Sequence, residues 1–215
     1  MLITHMGHSE FLLQIGKTAI LTDPFDDHVG YRMQSPVADV VLVSHSHGDH
    51  SCVQKVAGEP VVVTAPGVHS VAPGVTVTGI ASVHDHEGGA KRGPNVIYVI
   101  EAEGLRVAHL GDQGCLLTAE QVARLGRVDV LLVPVGGFFT INAAEAYETV
   151  KALSPAVTIP MHYKTAVNAA WPIQDESAFL RLMQAENCPR MPQIRITAGD
   201  LSQQPRCAVL RSVCL

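Results

Sequence analysis

Ser44-His45-Ser46-His47-Gly48-Asp49-His50-Ser51 follows directly on the apolar run Val40-Val41-Leu42-Val43, and this junction decides how the chain is read. Three imidazoles and a carboxylate fall within six residues, a density that no packing requirement produces. Neutral imidazole nitrogen is the commonest protein ligand for first-row metals, and carboxylate oxygen completes mixed sites. His45 and His47 are two apart, so at the end of an extended strand both rings point the same way. Gly48 lets the backbone turn sharply, and Asp49 and His50 then diverge at the start of what reads as a short helix. This spacing predicts one pair of ligands for one ion and a second pair for another. A surface His-rich loop that binds metal adventitiously is the bland alternative. The flanking strand, which fixes the loop to the edge of a core, weighs against it.

Three further motifs stand behind apolar runs, in the order Val83-His84-Asp85, Leu110-Gly111-Asp112 and Ile159-Pro160-Met161-His162-Tyr163. Together with His45-x-His47-x-Asp49-His50 they resemble the signature of the metallo-β-lactamase-fold hydrolases. The resemblance runs from Gly7-His8-Ser9 to about Thr165 and is nearest to the compact branch that includes the ascorbate-6-phosphate lactonase-like proteins. It implies an α/β fold, a four-layer αββα sandwich with metals at one edge between the two sheets. It also implies two divalent ions: one held by His45, His47 and His84, the other by Asp49, His50 and His162, with Asp112 shared. His86 rivals His84 if the preceding strand runs two residues further. A pair of such ions lowers the pKa of a bridging water from ~15.7 toward neutrality, so the resemblance implies a bridging hydroxide as nucleophile, with Asp49 orienting it or carrying a proton. Zinc suits the imidazole-rich set best, and manganese and iron are compatible because every ligand is N or O. Flavoprotein-linked di-iron members of the superfamily carry a carboxylate where His47 stands, so histidine here argues for hydrolysis over oxygen chemistry. Gln113 stands where relatives often place Thr, a departure beside a ligand rather than at one.

The expected reaction is therefore hydrolysis of a small ester, lactone or phosphoester. A nuclease or phosphodiesterase of the same fold, and a metal-holding regulatory domain without turnover, are the alternatives. The chain of 215 residues suits a single domain over 1–215, with 47% hydrophobic and 16% charged residues and a net charge of −5. That balance disfavours polyanions such as nucleic acid and leaves a small molecule as the expected partner. Apolar richness is compatible with a homo-oligomer. Five scattered cysteines without a C-x-x-C suit a reducing compartment, and neither Cys52 nor Cys115 has an obvious activating partner. No signal peptide is read, and the longest stretch without charged residues or histidine, Val130 to Ala144, falls short of the ~20 apolar residues of a membrane span. A soluble cytoplasmic protein is expected.

Strands are predicted over 2–5, 10–15, 18–22, 39–43, 61–63, 75–83, 96–101, 105–110, 128–133 and 156–161, with weaker ones at 194–197 and 207–210. Helices are predicted over about 50–57, 118–126, 142–153 and 175–186, the second and third opened by Thr118-x-x-Gln121 and Asn142-x-x-Glu145 capping boxes. Each half runs strands and then helices, as two facing ββα layers would. His69 is placed in a turn or short helix, and His28 in a solvated loop. His8 is balanced between a structural histidine and one facing substrate, and Asp23 is a candidate to orient a ligand histidine through its ring N–H. His109 reads as packed. The polar loop after His84 offers Arg92 and Asn95 as substrate contacts, and Tyr163 and Lys164 are further candidates beside His162.

Overall fold

Short apolar stretches form β1 (Leu2–Gly7), β2 (Glu10–Ile15) and β3 (Thr18–Thr22), joined as an antiparallel meander. The computed structural model, which describes residues 1–214, continues this sheet with β4 (Val40–Leu42) and β5 (Val61–Val63), both parallel to β3. A second sheet begins with β6 (Gly67–Ala72), β7 (Val75–Val83), β8 (Pro94–Ala102) and β9 (Leu105–His109), again antiparallel. It ends with β10 (Val130–Pro134) and β11 (Val157–Met161), parallel to β9. The chain then forms the short pair β12 (Arg190–Met191) and β14 (Val209–Leu210), while β13 (Gln193–Arg195) returns to the free edge of β1. Each sheet is thus a meander followed by parallel strands, the arrangement expected of two similar halves.

The sheets face each other across a core that includes Ile3, Phe11, Leu13 and Leu42 from the first and Tyr98, Ile100, Leu132 and Ile159 from the second. β8 is apolar on both faces because Val96, Tyr98 and Ile100 point into this core while Ile97 and Val99 point to the opposite side. There they meet the helices α1 (Ala119–Leu125), α2 (Ala143–Leu153) and α3 (Ser177–Leu182), whose Leu125, Ala146, Val150 and Phe179 cover the second sheet. Both predicted capping boxes form. The first sheet carries a thinner outer layer of loops around Phe25, Val29, Tyr31 and Val56.

Two local expectations are corrected. The helix placed over about 50–57 is a single 3₁₀ turn, Val53–Lys55, because Cys52 N–H donates to Pro24 O and β-branched Val53 and Val56 anchor the segment instead. His69 lies in strand β6, with its half-buried ring against Ala65 O, because Gly67 and the turn before Val75 let 67–72 pair with β7. No helix among the described residues is long and apolar enough to cross a membrane.

One buried contact ties the sheets together where the site is built. The Tyr98 hydroxyl lies 2.8 Å from Val43 O and 3.0 Å from Val63 O, so a residue of β8 holds the ends of β4 and β5. Tyr98→Phe leaves Val43 O without that donor, and a loss of about 1–3 kcal/mol is expected for a buried acceptor left unpaired. Urea unfolding of the two proteins measures it, and an unchanged midpoint refutes the role given to this hydroxyl.

Candidate metal centre

Four strand ends converge on one edge of the sandwich. β4 runs into His45, His47, Asp49 and His50; β7 into His84; β9 into Asp112; β11 into His162. The Asp112 carboxylate is at the centre, buried, with Oδ2 3.1 Å from His84 Nε2 and 3.2 Å from His162 Nε2, and Oδ1 3.2 Å from His50 Nε2. His45 Nε2 is 4.0 Å from Oδ2. His47 stands on the open side, its ring 4.6 Å from that of His45 and 5.2 Å from that of His84. Ligand atoms within 4.8 Å of one another fall into three groups: His45, His47 and His84; His45, His50 and Asp112; and His8, Asp49, His50 and His162. The structure thus brings together all seven residues that the sequence singled out, far apart in number, and adds His8. His86, the rival of His84, points away with its side chain 63% exposed, 3.4 Å from Glu145.

The hydrogen bonds around the centre set the tautomers. Asp23, fully buried at the end of β3, accepts from Ser44 N–H at 2.7 Å, from the Ser44 hydroxyl at 2.6 Å and from His50 Nδ1–H at 2.8 Å. With its proton given to Asp23, the Ser44 oxygen accepts from His45 Nδ1–H at 2.9 Å. Both His45 and His50 are thereby oriented with Nε2 aimed into the cluster. Asn95 acts in the same way on Asp112: its Oδ1 accepts from Asp112 N–H at 3.1 Å while its Nδ2 donates to Leu110 O at 2.9 Å. Both ends of the Asn95 amide are therefore engaged in placing the aspartate. His109 donates to Ser9 O and accepts from Gly111 N–H, as a packed histidine does.

Buried Nε2 atoms of His45, His50 and His162, and Oδ1 of Asp112, have no hydrogen-bond partner among the described residues. Lone pairs of neutral imidazoles crowded on an anionic carboxylate repel one another unless positive charge lies between them. The donor set and its orphaned atoms therefore fit a divalent cation. The electrostatics agree. Burial, with the field of His50, pushes His45 down to about 3, and burial with the field of His162 does the same to His8, so both stay neutral and able to ligate. His50 differs: burial opposes charge on it, yet Asp112 and Asp23 outweigh burial and raise it well above its ordinary value, so its ring carries a proton that a bound cation would displace. For Asp112 and Asp49 burial pulls upward, but the surrounding histidines hold both carboxyls below their ordinary range.

Backbone strain collects here. His8, Asp23 and His162 are non-glycine residues with φ of 53°, 42° and 50°, a region that costs of order ~1–3 kcal/mol each and is kept where the surroundings enforce it. Gly136 lets the next loop pass His162, since a Cβ there would lie 2.2 Å from the His162 carbonyl oxygen. Tyr163 and Lys164 follow His162 but turn toward a separate cavity lined with His5 and Tyr31. Two further neighbours carry no motif in the sequence. Trp171, the single tryptophan, packs 5.4 Å from the His8 ring and 6.4 Å from the His162 ring. Glu10 is buried behind Asp23, with one carboxyl oxygen unpartnered. His8 had a signal, its Gly-His-Ser turn; Trp171 and Glu10 had none.

The sequence pattern of the beta-lactamase superfamily domain matches residues 2–162. The chain belongs to this superfamily. Relatives of the superfamily member include the UPF0173 metal-dependent hydrolase of Thermoplasma acidophilum, 31% identical over 74% of this chain and 81% of that one. The UPF0173 metal-dependent hydrolase of Pelotomaculum thermopropionicum is 30% identical over 86% and 92% of the two chains. A solved structure of a metallo-beta-lactamase superfamily protein from Thermotoga maritima is 35% identical and covers 97% of each chain with a TM-score of 0.79. The nearer resemblance to ascorbate-6-phosphate lactonase-like proteins gains no support from these relatives, whose names stop at metal-dependent hydrolysis.

Two outcomes follow from this geometry. Asp112→Asn removes the central anion, and competitive metal titration of the variant is expected to show divalent-metal affinity at least about tenfold weaker, the size of effect that loss of even an outer-shell partner produces; unchanged affinity refutes a central role. Burial and the nearby Asp23 push Glu10 up to about 8 from an ordinary 4.5. The folded state then keeps a proton that the unfolded chain loses, so wild-type stability is full below 4.5 and falls as pH rises to 8. Glu10→Gln does not titrate, so its stability relative to wild type should rise across that window in denaturant titrations, whereas a pH-independent offset contradicts a buried neutral acid.

Proposed function

We propose that this protein is a metal-dependent hydrolase that acts on a small ester, lactone or phosphoester. The observation that carries the reading is the set of buried imidazole Nε2 atoms converging on Asp112 without hydrogen-bond partners, opening toward solvent at His47 and Asp49. Two divalent cations suit the donor set: His45, His47 and His84 would hold the first and Asp49, His50 and His162 the second, with Asp112 between them and His8 beside the second group. Zinc suits an imidazole-rich set best. Such ions, when bound, polarise a substrate oxygen and make water acidic enough to ionise near pH ~7.

The chain's own groups supply the rest. Asp49 is a half-buried anion whose Oδ2 lies 3.4 Å from His8 Nε2, so it is aimed and restrained on the open side of the cluster. Its position suits a carboxylate that orients attacking water and takes up its proton. Asp23 and Ser44 keep the imidazoles in one tautomer through turnover, so no reorganisation is needed at the reacting centre. The names of the relatives support hydrolysis. All five cysteines are free thiols, which supports a reducing compartment such as the cytoplasm.

A panel of lactones, carboxylic esters, phosphodiesters and single-stranded RNA, assayed at measured zinc content, tests this reading. Small-ester, lactone or phosphoester hydrolysis that is abolished by chelation and restored by zinc is the expected result. Asp49→Asn should lower kcat by about 10²–10⁴, the usual worth of a positioned proton acceptor. Activity on RNA alone overturns the substrate class, and a fully loaded protein inert on every class overturns hydrolysis.

A further inference from the structure

The loop between His84 and Asn95 is pinned by one side chain. The Asp85 carboxylate accepts from the backbone N–H groups of Glu87, Gly89, Lys91 and Arg92 at 2.7–2.9 Å, so the loop is a small closed cage hung directly on a residue of the metal centre. Its remaining charges are mostly engaged within reach: Lys91 pairs with Glu87, and His86 with Glu145. Arg92 is the exception. Among the described residues no carboxylate pairs with it. Its guanidinium carbon lies over two rings instead, 6.0 Å from the centroid of Phe138 and 5.4 Å from that of Phe139.

Those rings belong to a loop that is itself tied to the metal centre. Gly137 N–H donates to Ile141 O, and Ile141 N–H donates to Gln113 O, next to Asp112. Phe138 is 62% exposed and sits at φ 59°, so a large apolar side chain is held out in solvent by a backbone conformation that disfavours it. Phe139 continues inward, 5.8 Å from Trp171 and 6.5 Å from the His162 ring. A half-buried cation, an aromatic wall and the metal ligands therefore follow one another in a line. Arginine presents a rigid fork of donors matched to carboxylate or phosphate, and aromatic faces take an apolar body.

Resting on the hydrolase reading above, we infer that Arg92 recognises an acidic group of the substrate. The substrate is then an organic anion whose carboxylate or phosphate lies away from the bond being cleaved and whose apolar body lies along Phe139 and Trp171. Asp85 serves this by fixing the backbone at Arg92, which lowers the ordering cost of binding. The cation also draws anionic ligands to the mouth of the site.

Trp171, the single tryptophan, reports on the site without turnover. Its fluorescence is titrated in zinc-loaded wild type, Arg92→Ala and Arg92→Lys with phenylacetate, phenylphosphonate, the neutral phenylacetamide and inorganic phosphate, after zinc content and thermal melts have been matched. Wild type is expected to bind at least one aromatic anion more tightly than the amide. Arg92→Ala should weaken that anion by about tenfold or more, as for a lost charge-assisted hydrogen bond, while leaving the amide unchanged. Arg92→Lys should fall between, and whichever anion binds more tightly names the acidic group. Equal anion affinity in wild type and Arg92→Ala overturns the inference, because the anion is then held by zinc alone; so does binding of the amide as tight as that of the anions. Since binding is read directly, a failure of hydrolysis leaves this test standing.

Discussion

The buried carboxylate of Asp23 is the constraint on which the site depends. It ends β3, it is fully buried, and it spends its oxygens on Ser44 N–H, Ser44 Oγ–H and His50 Nδ1–H. An anion in such a place is tolerable only when donors surround it, and here the donors are the residues that must be aimed. Through Ser44 the same carboxylate reaches His45. One side chain thus settles the tautomer of two imidazoles and the path of the loop that follows β4.

Asp112 plays the complementary part inside the cluster. Its carboxylate faces three Nε2 atoms at hydrogen-bond distance, and the histidines that hold it ionised also leave room for a cation among their lone pairs. Folding alone does not satisfy these atoms. The fold accepts that cost, together with left-handed backbone at His8, Asp23 and His162, because the two sheets and the Tyr98 bridge between them over-determine the edge where they lie. The clustered side chains come from strand ends in both halves, so neither half contains the site.

Chemistry concentrated in short motifs behind apolar strands is legible from sequence, because a buried strand leaves little freedom in where its last residue points. His45, His47, Asp49, His50, His84, Asp112 and His162 were found this way, and so was the orienting role of Asp23. The two capping boxes were legible for a similar reason: they are satisfied by neighbours within one turn. The segment at 50–57 was not, since local propensity there yielded to the hydrogen bond from Cys52 to Pro24 and to packing of its valines. Strand β6 was missed because its pairing with β7 is a long-range property that its own residues hardly signal.

Roles that depend on who stands across the space were decided by tertiary structure alone. Asn95 looked available to a ligand, but β8 lays it against the turn at Leu110 and Asp112, and both ends of its amide are used there. His8 joins the cluster because the turn after β1 is carried to the end of β11, where its carbonyl accepts from His162 N–H. Arg92 has no carboxylate partner among the described residues, and the Asp85 cage places it over Phe138 and Phe139 instead. The sequence by itself marked the superfamily, most of the strands in each half and the candidate ligand residues, since those follow from local patterning and donor chemistry. Which ring nitrogen faces inward, which polar groups are already satisfied and which charge is left over depend on contacts between residues distant in the chain, and only the packed sheets determine those.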